Sequence, residues 1–140
     1  MSRYVLDTDI ISLFQGGDSV VVARCTATTP SELSITVITV EEVLSAWYTL
    51  LRRAKTRSRV ALAYHRLAES TKLLGRLTIL PYTEAAIDRF ESLKAMKLGV
   101  RAPDLRIAAI ALEFGGVLVT RNVRDFQQVP GLQLEDWTNP

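Results

Sequence analysis

The stretch Tyr4-Val5-Leu6-Asp7-Thr8-Asp9 decides how the rest of the chain reads. Tyr4 to Leu6 is a short β-branched and apolar run, the pattern of a buried strand. It ends in two carboxylates one residue apart, and beyond them Ile10, Ile11, Leu13 and Phe14 form the apolar side of a short helix. Asp7 therefore stands where a strand gives way to a helix, at the edge where open parallel α/β sheets bind ligands. A buried carboxylate without a partner is costly, so its presence there needs a reason. Capping is one reason, since Asp7, Thr8 or Asp9 can accept N–H bonds at the helix start. Only one of them can be the N-cap, which leaves a carboxylate over.

The same alternation continues along the chain. Gly16-Gly17-Asp18 is a break, Ser19 to Thr26 a second short helix, Thr28 to Ser31 a loop and Leu33 to Thr36 a second strand. Val40, Val43, Leu44, Trp47, Leu50 and Leu51 then share one helical face. Thr39 followed by Glu42 has the form of a capping box, which taken alone accounts for that glutamate. A further helix is expected from about Ser58 to Leu74, with Val60, Ala63, Tyr64, Leu67 and Leu74 inward and closed by Gly75. Leu77 to Leu80 is a third strand. Thr83 caps a helix with Ala86, Ile87, Phe90 and Leu93 inside, stopping near Leu98-Gly99. Val100 to Asp104 leads into a helix buried through Leu105, Ala108, Ala109 and Leu112, with Asp104 at its first turn, where it could again be only an N-cap. Gly115-Gly116 stops it. Val117 to Val119 is fully apolar and so interior to the sheet. Thr120 to Phe126 follows at its carboxyl end, and Leu132 to Leu134 is an edge strand.

Strands alternating with helices predict an α/β sandwich, with a mainly parallel sheet of about five strands and helices on both faces. The 140 residues suit a single domain. A net charge of +2 says little about partners, so the distribution of charge has to carry that argument. The single cysteine, Cys25, excludes an intrachain disulfide and fits a reducing cytoplasm. Met1-Ser2-Arg3 leads straight into the first strand and does not read as a signal peptide. The longest aliphatic run, Ile107 to Leu112, is far too short to span a membrane.

On this layout Asp7, Glu42 and the Asn122–Asp125 turn stand at three strand carboxyl ends, and Asp104 enters from a helix N-terminus. Each has a local explanation as a cap, but four such explanations converge on one edge of one sheet. Clustered carboxylates repel and raise one another's pKa. Oxygen ligands without His or Cys suit Mg²⁺ or Mn²⁺. His65, the only histidine, has no serine or cysteine partner in view and reads as structural. Arg52, Arg53, Lys55, Arg57 and Arg59 form an acid-free basic run. It is either a solvated helix end or a phosphate-contacting patch.

Four segments are similar to the PIN-domain family, and within it to the VapC toxins of bacterial toxin–antitoxin pairs: LDTDIIS (Leu6–Ser12), ITVEEVL (Ile38–Leu44), PDLRIAAIALEFGGVLVTRNVRDF (Pro103–Phe126) and VPGLQLEDW (Val129–Trp137). The resemblance implies a PIN-like three-layer sandwich and a cytoplasmic, Mg²⁺- or Mn²⁺-dependent endoribonuclease that hydrolyses RNA with metal-activated water. It further implies a VapB-like antitoxin as partner and a homodimer. Its acids map onto Asp7, Glu42 and Asp104, with Asn122 at the fourth acidic position, so that Asp125 is the remaining carboxylate for that role. Thr8, Asp9, Thr120 and Asn122 support them. Arg52, Arg53, Lys55, Arg101, Arg121 and Arg124 are the expected RNA contacts. The alternative for Asp125 is a cap that pairs with Arg121 or Arg124.

Three other readings compete. Asp7-Thr8-Asp9 is a DxD as in haloacid-dehalogenase-type phosphatases, but Ile11 stands where those carry threonine or valine, and the chain is short for that fold with its cap. A receiver domain has paired acids after its first strand, but it needs an Asp after the third, where Leu80-Pro81 stands. A non-enzymatic binding module would use every acid as a cap or an ion pair.

Overall fold

The computed structural model describes residues 3–140; the N-terminal reading at Met1 and Ser2 lies outside them. Five strands, β1 (Tyr4–Leu6), β2 (Leu33–Thr36), β3 (Thr78–Leu80), β4 (Val117–Val119) and β5 (Gln133–Glu135), pair in parallel throughout, in the order β3-β2-β1-β4-β5. The chain runs outward from β1 to β3 on one side and resumes at β4 on the other. The switch point is therefore between β1 and β4, and a ligand crevice belongs at their carboxyl ends.

Among the described residues seven α-helices join the strands: α1 (Thr8–Gln15), α2 (Ser19–Thr26), α3 (Val37–Arg53), α4 (Arg57–Gly75), α5 (Glu84–Ala95), α6 (Ala102–Phe114) and α7 (Val123–Phe126). The two faces of the sheet have separate cores because successive strand side chains point in opposite directions. Val5 and Leu118 enter a core with Phe90 of α5, Ile107 of α6 and Phe126 of α7. Leu6 and Val119, their neighbours in sequence, enter the other with Ile10, Ile11, Val21, Val43, Leu74 and Trp137. The layered fold and the position of every strand agree with the sequence reading to within a residue or so at each end.

Several local expectations are corrected. Thr28 to Ser31 is not all loop, since Pro30–Glu32 makes one 3₁₀ turn. The cap of α3 is Thr36, whose hydroxyl accepts from Thr39 N–H at 3.1 Å; Thr39 is inside the helix and fully buried, so the Thr39–Glu42 capping box does not form. Asp104 is not an N-cap either. Arg101 holds that position, with Pro103 and Asp104 inside the first turn. Val60, Tyr64 and Ile87, expected inward, are 37%, 59% and 39% exposed. Ala63 and Leu74 of α4 are buried as expected, and Ser70 rather than Val60 or Tyr64 completes the inward stripe. Gly115 ends α6 with φ of 76°, a left-handed conformation that glycine adopts without strain.

Candidate active site

Asp7 leaves β1 as the N-cap of α1. One carboxylate oxygen accepts Thr8 N–H at 2.7 Å, and the other accepts the Thr120 hydroxyl at 2.9 Å. Thr120 follows β4 directly, so the β1–β4 pairing itself delivers this contact; Asp7 N–H also donates to Val119 C=O at 2.9 Å. Asp7 is 6% exposed. Burial pushes its carboxyl up to about 6, against the pull of the bonds from Thr120 and Thr8, and repulsion from Asp104 and Asp9 adds to the rise.

Glu42 projects from the second turn of α3 toward Thr8. The Thr8 hydroxyl donates to Glu42 Oε1 at 2.8 Å and lies 2.9 Å from the Thr39 hydroxyl. A hydroxyl has one proton to give. With Thr8 donating to Glu42, Thr39 donates to Thr8, and two threonines from different elements set the glutamate's rotamer. Thr39 was missed as a site residue. Its signal is the spacing Thr36, Thr39, Glu42, three residues apart on one helical face.

Asp104 reaches the same edge from the first turn of α6. Burial raises its pKa; Arg101 opposes the rise, and Glu42, Asp125 and Asp9 reinforce it. Asp125 lies on α7 and accepts Asn122 Nδ2–H at 3.1 Å, while Asn122 N–H is held by the Thr120 hydroxyl at 3.0 Å. Asn122 and Asp125 thus share one face of a helical turn, as their spacing predicts. Asp9 is exposed and meets Arg121 at 3.3 Å, and Arg101 approaches Glu42 at 3.9 Å. Arg121 is therefore occupied by Asp9 rather than Asp125. Arg124, Arg52, Arg53 and Lys55 are exposed, and Arg52 donates to Thr49 at 3.4 Å.

Asp7, Asp9, Glu42, Asp104 and Asp125 accordingly feel one another's charge around Asp104, although among the described residues no three acids, histidines or cysteines close into a compact ligand set. The donors are all hard oxygens. His65 lies on α4, and Cys25 is buried in the core beneath α2. A half-buried nest of repelling carboxylates is suited to a divalent cation, and to Mg²⁺ or Mn²⁺ rather than a metal that favours imidazole or thiolate.

A family model for the PIN domain matches residues 4–132. Ribonuclease VapC1 of Haemophilus influenzae is 29% identical over 139 residues, which cover 96% of this chain and 98% of that protein. The tRNA(fMet)-specific endonuclease VapC of Salmonella typhimurium is 37% identical over 75 residues, 51% of this chain and 57% of that protein. Among solved structures, a chain of the DNA-bound VapBC complex of Salmonella typhimurium superposes with a TM-score of 0.80 at 27% identity, covering 98% of this chain and 99% of the other.

Proposed function

The chain belongs to the PIN-domain family, and from that premise we propose that it is a metal-dependent endoribonuclease, the toxin of a VapBC-type toxin–antitoxin pair, built as one domain over residues 1–140. The observation that carries this reading is the convergence of Asp7, Glu42, Asp104 and Asp125 on the β1–β4 switch point. Relatives that match along the whole length, or share the fold at that TM-score, are a VapC ribonuclease and the toxin–antitoxin complex of Salmonella typhimurium. Phosphatase and receiver readings have no comparable support.

Asp7, Asp104 and Glu42 would hold the divalent cation, Mg²⁺ or Mn²⁺, which when bound supplies compensating charge at the scissile phosphate and makes a water more acidic. The chain's own contribution is positioning. Thr120 and Thr8 N–H clamp both oxygens of Asp7. The Thr8 hydroxyl holds Glu42 against α1, and Asn122 holds Asp125, whose charge reaches Asp104. Arg101 and Arg121, each drawn to an acid of the cleft, are placed to transfer to phosphate oxygens once RNA enters. An exposed single-stranded loop is the expected substrate, since unstacked bases are what proteins read in RNA.

The test is a digest of total RNA with end mapping. Cleavage is expected with Mg²⁺ or Mn²⁺ and none in excess EDTA. Asp7→Asn and Asp104→Asn are each expected to lower the rate at least 100-fold while retaining a cooperative melt, in line with the loss of metal-held charge stabilisation. Full activity in EDTA would overturn the proposal.

A further inference from the structure

A groove runs between α3 and α4, away from the acid cluster at whose edge it begins. A depression of about 700 Å³ starts at Thr8 and Glu42 and passes Trp47, Leu50 and Arg66. A second, of about 330 Å³, shares Trp47, Leu50, Leu62 and Arg66 with it and extends to Arg53 and Arg59. The two form one channel, with a carboxylate of the active site at one end and three arginines toward the other. Along α3 the span from Glu42 to Arg53 is roughly 16 Å at the helical rise. Arg53, Arg59 and Arg66 have no carboxylate partner among the described residues, and the acid on the wall besides Glu42, Glu69, is paired with Lys72 at 3.4 Å.

We infer that this groove is the track for the RNA strand flanking the scissile phosphate, with a base stacked on Trp47 and the neighbouring phosphates on Arg53, Arg59 and Arg66. The inference rests on the ribonuclease reading, and it names the part of the substrate that reading leaves unplaced. A strand held at Glu42 has to leave the cleft along a wall, and this wall opens at Glu42 itself. Its chemistry is that of single-strand binders, an aromatic platform beside unpaired cations. Leu50 and Leu62, 47% and 50% exposed, flank the platform and offer an apolar edge to the stacked base.

The probe is an unstructured RNA decamer with phosphorothioate linkages, titrated in Ca²⁺ while tryptophan fluorescence is read. Trp137 is 1% exposed and donates its indole N–H to Glu135 at 3.0 Å, so quenching reports Trp47. Saturable quenching is expected. In Mg²⁺, Trp47→Leu is expected to raise KM about ten-fold with kcat little changed, and Trp47→Phe to recover most of it. Reversing charge at Arg53, Arg59 and Arg66 is expected to flatten the salt dependence of binding. Cleavage with KM and salt slope indifferent to all four positions overturns the groove and leaves the ribonuclease standing. Quenching without any cleavage does the opposite. If the Trp47→Leu variant keeps its RNA kinetics but no longer binds an antitoxin, the groove is a protein-docking surface and the inference is wrong.

Discussion

At the scale of single residues, Asp125 is held by Asn122 and its charge is felt at Asp104, and on the proposed ribonuclease reading it is the candidate for the fourth charge of the site. Asn122 can accept or coordinate through its amide oxygen but cannot neutralise a cation. Asp125→Asn is expected to slow cleavage about ten-fold and weaken apparent Mg²⁺ affinity, while Asn122→Asp is tolerated or partly rescues it. A loss of thermal stability with unchanged Mg²⁺ dependence would make Asp125 structural. Asp7 permits a second prediction, on pH. Its carboxyl is raised to about 6 in the fold from 3.8, so the folded state binds the proton more tightly. The stability this lends is full below pH 4 and lost as pH rises through about 6. In EDTA, wild type should lose up to about 3 kcal/mol relative to Asp7→Asn between pH 4 and 7, measured by denaturant unfolding. Parallel pH curves for the two proteins would show that the group is not desolvated in the fold.

At the scale of elements, α3 carries the most. Its N-terminus is fixed by Thr36, and its second turn presents Glu42. Thr36→Ala should cost about 1 kcal/mol through loss of the cap. Thr39→Val leaves the cap in place but removes the hydroxyl behind Thr8. It should reduce activity more than Thr36→Ala does, at a smaller cost in melting temperature than its burial would suggest. The reverse ranking in paired melting and cleavage assays would restore Thr39 to the capping role its spacing suggests.

For the whole molecule, the sheet order puts β1 and β4 side by side and so assembles the site from segments more than 100 residues apart, such as Thr120 and Asp7. The outer stripe of α4 is the other large-scale feature. Val60 and Tyr64, one turn apart, are exposed there on a face distinct from the groove. An apolar stripe of this kind suits a second copy of the chain. A homodimer is expected at micromolar concentration by light scattering, and Tyr64→Glu should shift it toward monomer. A monodisperse wild-type monomer would refute this.

The local pattern alone determined the strands, the parallel layered fold, Asp7 at the end of β1 and the helical turn linking Asn122 to Asp125, because apolar periodicity and glycine stops act over a few residues. Three things were decided only in the folded chain. Thr36 rather than Thr39 caps α3, because two threonines three residues apart both satisfy the capping pattern and strand β2 settles which backbone is still extended. Val60 and Tyr64 face outward, because α4 carries apolar residues on more than one side and its packing on α3 selects the stripe that is buried. Arg101 and Arg121 meet Glu42 and Asp9, contacts that span 59 and 112 residues. Side-chain partners so distant in sequence are set by the order of strands in the sheet, and no local periodicity encodes that order.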